Sequence, residues 1–85
     1  MSNLSELFTQ AQENIKTLSK KPDDDTMLEL YSLFKQGSDG DVTGDRPGFF
    51  DFVGGAKFDA RAKLKGMGTD DAMQKYIDKV NDLLG

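Results

Sequence analysis

Tyr31 and Lys35 stand four residues apart in the stretch Tyr31-Ser32-Leu33-Phe34-Lys35, and Lys57 and Arg61 repeat that spacing farther along. Residues four apart on a helix share a face, so a ring and an ammonium converge in the first pair and two cations in the second. That chemistry suits a nucleotide, whose base stacks on the tyrosine while its phosphate meets the charge. The same spacing also describes an amphipathic tyrosine beside a solvated lysine, and spacing alone favours that plainer account. For Lys57 and Arg61 the plainer account is an ordinary solvated helix face. Tyr76 falls on an apolar helical face, where a ring packs and its hydroxyl finds a partner. Lys16 lies just off the apolar face of the first helix.

A third constellation invites metal chemistry. Asp39, Asp41, Thr43, Gly44 and Asp45 occupy positions one, three, five, six and seven of a calcium loop, glycine at six included. The loop fails at its far end. Its ninth and twelfth positions are Pro47 and Phe50, neither a side-chain ligand, and Asp51 is one residue out of register. Pro47-Gly48 also interrupts the segment where a second helix would start. The acids therefore read as part of a long ordered connection, with no metal. Histidine and cysteine are both absent, which removes the thiolate nucleophile, the imidazole base and the common zinc sites. No disulfide supports the fold either.

These residues must be positioned by a small body. The 85 residues make one domain, read as spanning 1–85, and a chain of this length buries only about 60% of its unfolded surface. The net charge of -4 argues against general nucleic-acid binding. The charge is uneven, however. Lys35, Arg46, Lys57, Arg61, Lys63 and Lys65 fall between residues 35 and 65, whereas acids gather at Asp23-Asp24-Asp25 and Asp70-Asp71. A small anionic ligand can find a local basic site on an acidic protein. The opening MSNLSELFTQ lacks the basic and apolar regions of a secretory leader. No apolar stretch approaches transmembrane length. A soluble, cytoplasmic chain is expected.

The periodicity predicts four helices and no strand. Leu4, Leu7, Phe8, Ala11, Ile15 and Leu18 form one helical face. After Pro22, Asp23 to Asp25 can cap a second helix through MLELYSLFKQ, which Gly37 and Gly40 are expected to end. A long connection follows to about Phe52, and Phe49, Phe50 and Phe52 are expected to anchor it to the core. GGAKFDARAKLK predicts a shorter third helix with Ala56, Ala60 and Leu64 on one face. Thr69-Asp70-Asp71 opens a fourth, with Met73, Tyr76, Ile77, Val80 and Leu84 in helical register. The expected class is all-α.

In order, these segments resemble the acyl-CoA-binding protein family. KKPDDDTMLELYSLFKQ, GDVTGDRPGFFDFVGGAKFDA and LKG followed by DDAMQKYIDKV are similar to that family's K-P-x-D…L-x-x-Y-x-x-x-K-Q, G-D…R-P-G…D-F…A-K-W-D-A and D-A-M-x-x-Y-I-x-K-V. The resemblance covers nearly the whole chain. It implies a four-helix, up-down-down-up bundle with an overhand connection between helices two and three. It also implies a monomeric carrier of long-chain acyl-CoA thioesters, with no catalysis and no cofactor, that meets acyl-CoA-consuming enzymes or membranes only transiently.

By the resemblance, Tyr31 stacks on adenine while Lys35 and Lys57 hold the ribose 3′-phosphate. Tyr76 and Lys16 line the site farther along, Met27 and Leu28 cover the acyl chain with apolar residues such as Phe8, and the segment Ser32, Leu33 and Phe34 completes the ligand-facing stretch. The chain departs from the family at four positions. Many members have lysine where Val53 and Gly55 stand, and tryptophan at the places of Phe58 and Arg61. Arg61 is expected to replace part of the missing charge, and Gly54-Gly55 to offer backbone N–H groups to an anion. A helical protein-interaction module of the same fold with weakened ligand binding is the alternative from another class.

Overall fold

The computed structural model describes residues 3–85; Met1 and Ser2, which open the stretch read for a leader, lie outside the described residues. Helix α1 spans Leu4–Asn14 and tightens into a 3₁₀ turn, Ile15–Thr17. Its first free N–H groups are met by Asn3, whose side chain accepts from Glu6 N at 2.9 Å. Helix α2 spans Asp24–Asp39, and Asp23 caps it by accepting from Thr26 N at 2.8 Å. That bond holds the Asp23 carboxyl below the usual carboxylate range. Helix α3 spans Phe52–Ala62 and α4 spans Thr69–Leu84, with Asp70 and Asp71 in the first turn of α4. Among the described residues no strand occurs.

The core joins three helices. Phe8 and Ala11 of α1 meet Leu30 and Leu33 of α2 and Tyr76, Ile77 and Val80 of α4. Phe8 stands edge-on to Tyr76 at 5.2 Å and stacks with Phe34 at 5.9 Å between centroids. Leu7, expected on the same stripe, sits at its margin and is exposed. Helix α4 packs against both α1 and α2, whereas α3 packs on α2. Glu29 of α2 meets Lys79 of α4, and Gln36 meets Met67 just before α4, so those two helices run in opposite directions. The start of α3 lies beside the start of α2, and Leu64 lies beside Ser32. Helices α2 and α3 therefore run the same way, which requires the overhand connection between them. The fold is the all-α, up-down-down-up bundle.

Three expectations need correction. Helix α2 does not stop at Gly37. It passes through that residue because the missing side chain lets two helices come close: a Cβ there would lie 3.0 Å from Met73 Cγ and 3.2 Å from Phe8 Cζ. Gly40, with φ of +83°, ends the helix. Helix α3 begins two residues before Gly54, because Asp51 caps it, and it unwinds after Ala62 rather than continuing to Lys65.

The third correction concerns the loop. Phe49, Phe50 and Phe52 are 79%, 86% and 74% exposed, so they do not anchor it to the core. They pack on one another instead, Phe49 lying 5.3 Å from Phe50 and 6.4 Å from Phe52 between centroids. Polar contacts do the anchoring. Asp41 Oδ1 accepts from Gln36 Nε2 at 2.8 Å and from Gly66 N at 2.9 Å, which ties α2, the loop and the α3–α4 turn together. Val42 is buried beside this knot. Arg46 clasps Asp59 of α3 through two bonds of 2.9 and 3.1 Å. Two of the three acids that imitate a calcium loop are thus engaged elsewhere: Asp41 here, and Asp39 within α2 beside Lys35.

Candidate ligand-binding site

A cleft of about 570 Å³ opens between the starts of α2 and α3. Met27, Leu28, Phe52, Val53 and Ala56 make its apolar walls, Tyr31 and Lys57 close one side, and Lys21 and Asp24 stand at the amino end of α2. Parallel packing of α2 on α3 brings Tyr31 opposite Lys57 although 26 residues separate them in sequence. The Lys57 ammonium lies 5.1 Å from the centroid of the half-buried Tyr31 ring, within cation–π range. Lys35 follows Tyr31 by one turn. Its ammonium lies 3.4 Å from Asp39 Oδ2 and 6.0 Å from the Phe34 centroid. That ion pair is exposed enough to contribute little, so Lys35 can exchange Asp39 for another anion at small cost.

Other expected site residues lie elsewhere. Ser32 is buried and its hydroxyl donates to Glu29 O. Leu33 belongs to the core, and Phe34 packs toward Phe8 and Tyr76. Tyr76 is only 6% exposed and fills the centre of the bundle, where burial pushes its phenol pKa up. Lys16 extends from the 3₁₀ turn and pairs with Glu13 at 3.4 Å. Arg61 turns away from the cleft toward the loop, with one guanidinium nitrogen 3.5 Å from Gly40 O and its Nε buried without a partner. The structure thus brings together Met27, Leu28, Tyr31 and Lys57, with Lys35 one turn on.

The expectation for Gly54-Gly55 is not met. Gly54 N donates to Asp51 Oδ1 at 2.8 Å and Gly55 N to Asp51 O at 2.9 Å, so neither is left for an anion. The absence of a side chain at Gly55 has another cause. A Cβ there would come within 2.8 Å of Arg46 Nη2, so Gly55 leaves room for the guanidinium that clasps Asp59. Hydrogen bonding from Arg46 holds the Asp59 carboxyl below its usual range and raises Arg46 in return. Lys21, Asp24, Phe52 and Val53 were not expected as lining residues. Their only sequence signal is position: each lies within three residues of a helix start, where parallel helices place their ends together.

The profile of the family described as Acyl CoA binding protein matches residues 5–80. The chain belongs to the acyl-CoA-binding protein family. It is 47% identical over 83 residues to an acyl-CoA-binding protein homolog of Manduca sexta, covering 96% of this chain and 92% of that one. It is 46% identical over 77 residues to acyl-CoA-binding protein homolog 1 of Caenorhabditis elegans, covering 91% and 90%. The crystal structure of Oryza sativa acyl-CoA-binding protein 2 superimposes with a TM-score of 0.91 at 39% identity, covering 96% of this chain and 91% of that chain. Acyl-CoA is the ligand of this family, which is not enzymatic and uses no cofactor. No helix among the described residues is long and apolar enough to cross a membrane.

Proposed function

We propose that this chain, as a single acyl-CoA-binding domain over residues 1–85, is a cytoplasmic monomer that binds long-chain acyl-CoA, buffers it and carries it to consuming enzymes or membranes. The observation that carries this reading is the meeting of Tyr31 and Lys57 beside a cleft walled by Met27, Leu28, Phe52, Val53 and Ala56. An acyl-CoA is an aromatic, anionic head joined to a hydrocarbon tail. A base stacking on Tyr31 takes the ring face that Lys57 covers, and the displaced ammonium is then free to pair with the 3′-phosphate beside Lys35. The apolar walls shield the tail, each fully buried CH₂ contributing about 0.8 kcal/mol. Tyr76 supports Phe34 from within the bundle. Arg61 would have to leave Gly40 O to reach the phosphate, and Lys16, on the 3₁₀ turn, would line the site toward the rest of the ligand.

The rival, an interaction module with a weakened site, drew on the lysines missing at Val53 and Gly55. Gly55 has a structural reason to be glycine, which removes half of that case. Titration with a long-chain acyl-CoA, with CoA and with the free fatty acid tests the carrier reading. The ester should bind far more tightly than either part. Lys35→Ala and Lys57→Ala should each cost about 1.5–3 kcal/mol, and Tyr31→Ala about 1–3 kcal/mol. Unchanged affinity in all three variants would remove the head-group assignment.

A further inference from the structure

Phe49, Phe50, Phe52 and Val53 are all more than two-thirds exposed, and together they form an apolar knob where the overhand loop enters α3. Monomers seldom leave so many large apolar side chains contiguous in water without a use for them. The edge-to-face contacts among the three rings shape them into one projecting cluster. We propose that this knob docks the protein on the surface of a phospholipid bilayer, with the rings at the level of the headgroups and the mouth of the cleft facing the lipid.

Three features select a bilayer. The knob is convex, and aromatic side chains at a fluid interface need no complementary pocket. The one acid between the rings, Asp51, accepts from Gly54 N as the cap of α3, and the nearby Arg46 is paired with Asp59 rather than left free. The knob is also continuous with the cleft, because Phe52 and Val53 belong to both. A ligand tail could therefore pass between bilayer and cleft along an apolar path; this part of the inference rests on reading the cleft as the seat of acyl-CoA. Lys21 and Lys57, on the same cleft, can meet headgroup phosphates. The net charge of -4 disfavours a general electrostatic attachment to anionic membranes. Docking should therefore depend on the rings and occur on zwitterionic lipid.

The test uses phosphatidylcholine vesicles without acyl-CoA. The chain has no tryptophan, so Phe50→Trp supplies a single reporter, whose emission should shift to the blue and resist an aqueous quencher when vesicles are added. In vesicle co-sedimentation, Phe49→Ser with Phe50→Ser should lower partitioning at least about tenfold. Neither residue lines the cleft, so the double variant should bind acyl-CoA in solution as the wild type does. No blue shift, or equal partitioning of wild type and double variant, overturns docking even if acyl-CoA binds normally. Self-association of the wild type that the double variant abolishes, without vesicle binding, also overturns it and assigns the knob to a second copy. Vesicle binding that depends on Phe49 and Phe50 in a protein that fails to bind acyl-CoA would leave docking standing and remove the carrier reading.

Discussion

The molecule holds two aromatic trios of nearly the same composition and opposite fates. Phe8, Phe34 and Tyr76 come from three helices and close the core, while Phe49, Phe50 and Phe52 come from four consecutive residues and stand in solvent. Both contain an edge-on pair at similar spacing, 5.2 Å in one and 5.3 Å in the other. Ring geometry is therefore not what separates them. The first trio is buried because each ring arrives on a helix whose neighbours also converge there. The second spans the end of a loop fixed by polar bonds from Asp41 and Arg46 and the first residue of α3, and nothing lies above it to complete a layer. The inner trio should serve stability and the outer one should be free to serve contact.

The largest effect expected from this contrast is on folding. Phe8→Ala should cost about 3–5 kcal/mol, since it leaves a cavity among Phe34, Tyr76 and Gly37, whereas Phe50→Ala should change stability by less than about 0.5 kcal/mol. Urea unfolding of the two variants measures the difference. A loss is large against the roughly 5–15 kcal/mol of a whole domain, so Phe8→Leu provides a milder second point in the same direction. Comparable losses for Phe8→Ala and Phe50→Ala would mean that the outer rings pack as the inner ones do, and the contrast would collapse.

That contrast also marks the limit of what the sequence disclosed. Helical periodicity located α1, α2 and α4 and most of the core, because a face repeating every three or four residues leaves few alternatives. The same logic put Tyr31 with Lys35, and Lys57 with Arg61, on shared faces. It could not put Tyr31 opposite Lys57, since that meeting depends on how α2 and α3 pack. Nor could hydropathy tell Phe8 from Phe50: it measures the gain from burial but not whether a partner surface exists. Gly37 failed for a related reason. Locally a glycine is a helix terminator, and only the approach of Met73 and Phe8 explains one inside a helix. Arg61 shared a face with Lys57 on paper, yet its long side chain turned to Gly40 O.

Gly37 sharpens the inner half of the comparison at intermediate size. Its absent side chain gives Phe8 and Met73 their places against α2. Gly37→Val should destabilise by about 1–3 kcal/mol through overpacking, even though glycine is a poor helix former and most replacements would favour the helix. Thermal unfolding reads this as a fall of roughly 4–8 °C for each kcal/mol in a domain of this size. A rise in melting temperature would show that Met73 moves aside freely and that α1, α2 and α4 are less tightly fitted than the distances indicate.

The smallest effect separates the trios by pH, because only the inner one carries a titratable group. Burial of Tyr76 disfavours its phenolate and raises its pKa above the ordinary value near 10. The sign follows from proton counts. Above about pH 10 the unfolded chain has begun to lose this proton while the folded chain still holds it, so stability falls as pH rises. The contribution is fully present below the ordinary phenol value and drains away as pH climbs from there through the raised one. Tyr76→Phe keeps the ring and removes the proton, so its melting temperature should decline less steeply than that of the wild type above about pH 10 and run parallel below it. Phe49→Ser with Phe50→Ser should follow the wild type throughout, since that trio has nothing to ionise. Parallel alkaline curves for wild type and Tyr76→Phe would mean that the Tyr76 hydroxyl reaches water despite its buried ring, which would place the edge of the core at that oxygen.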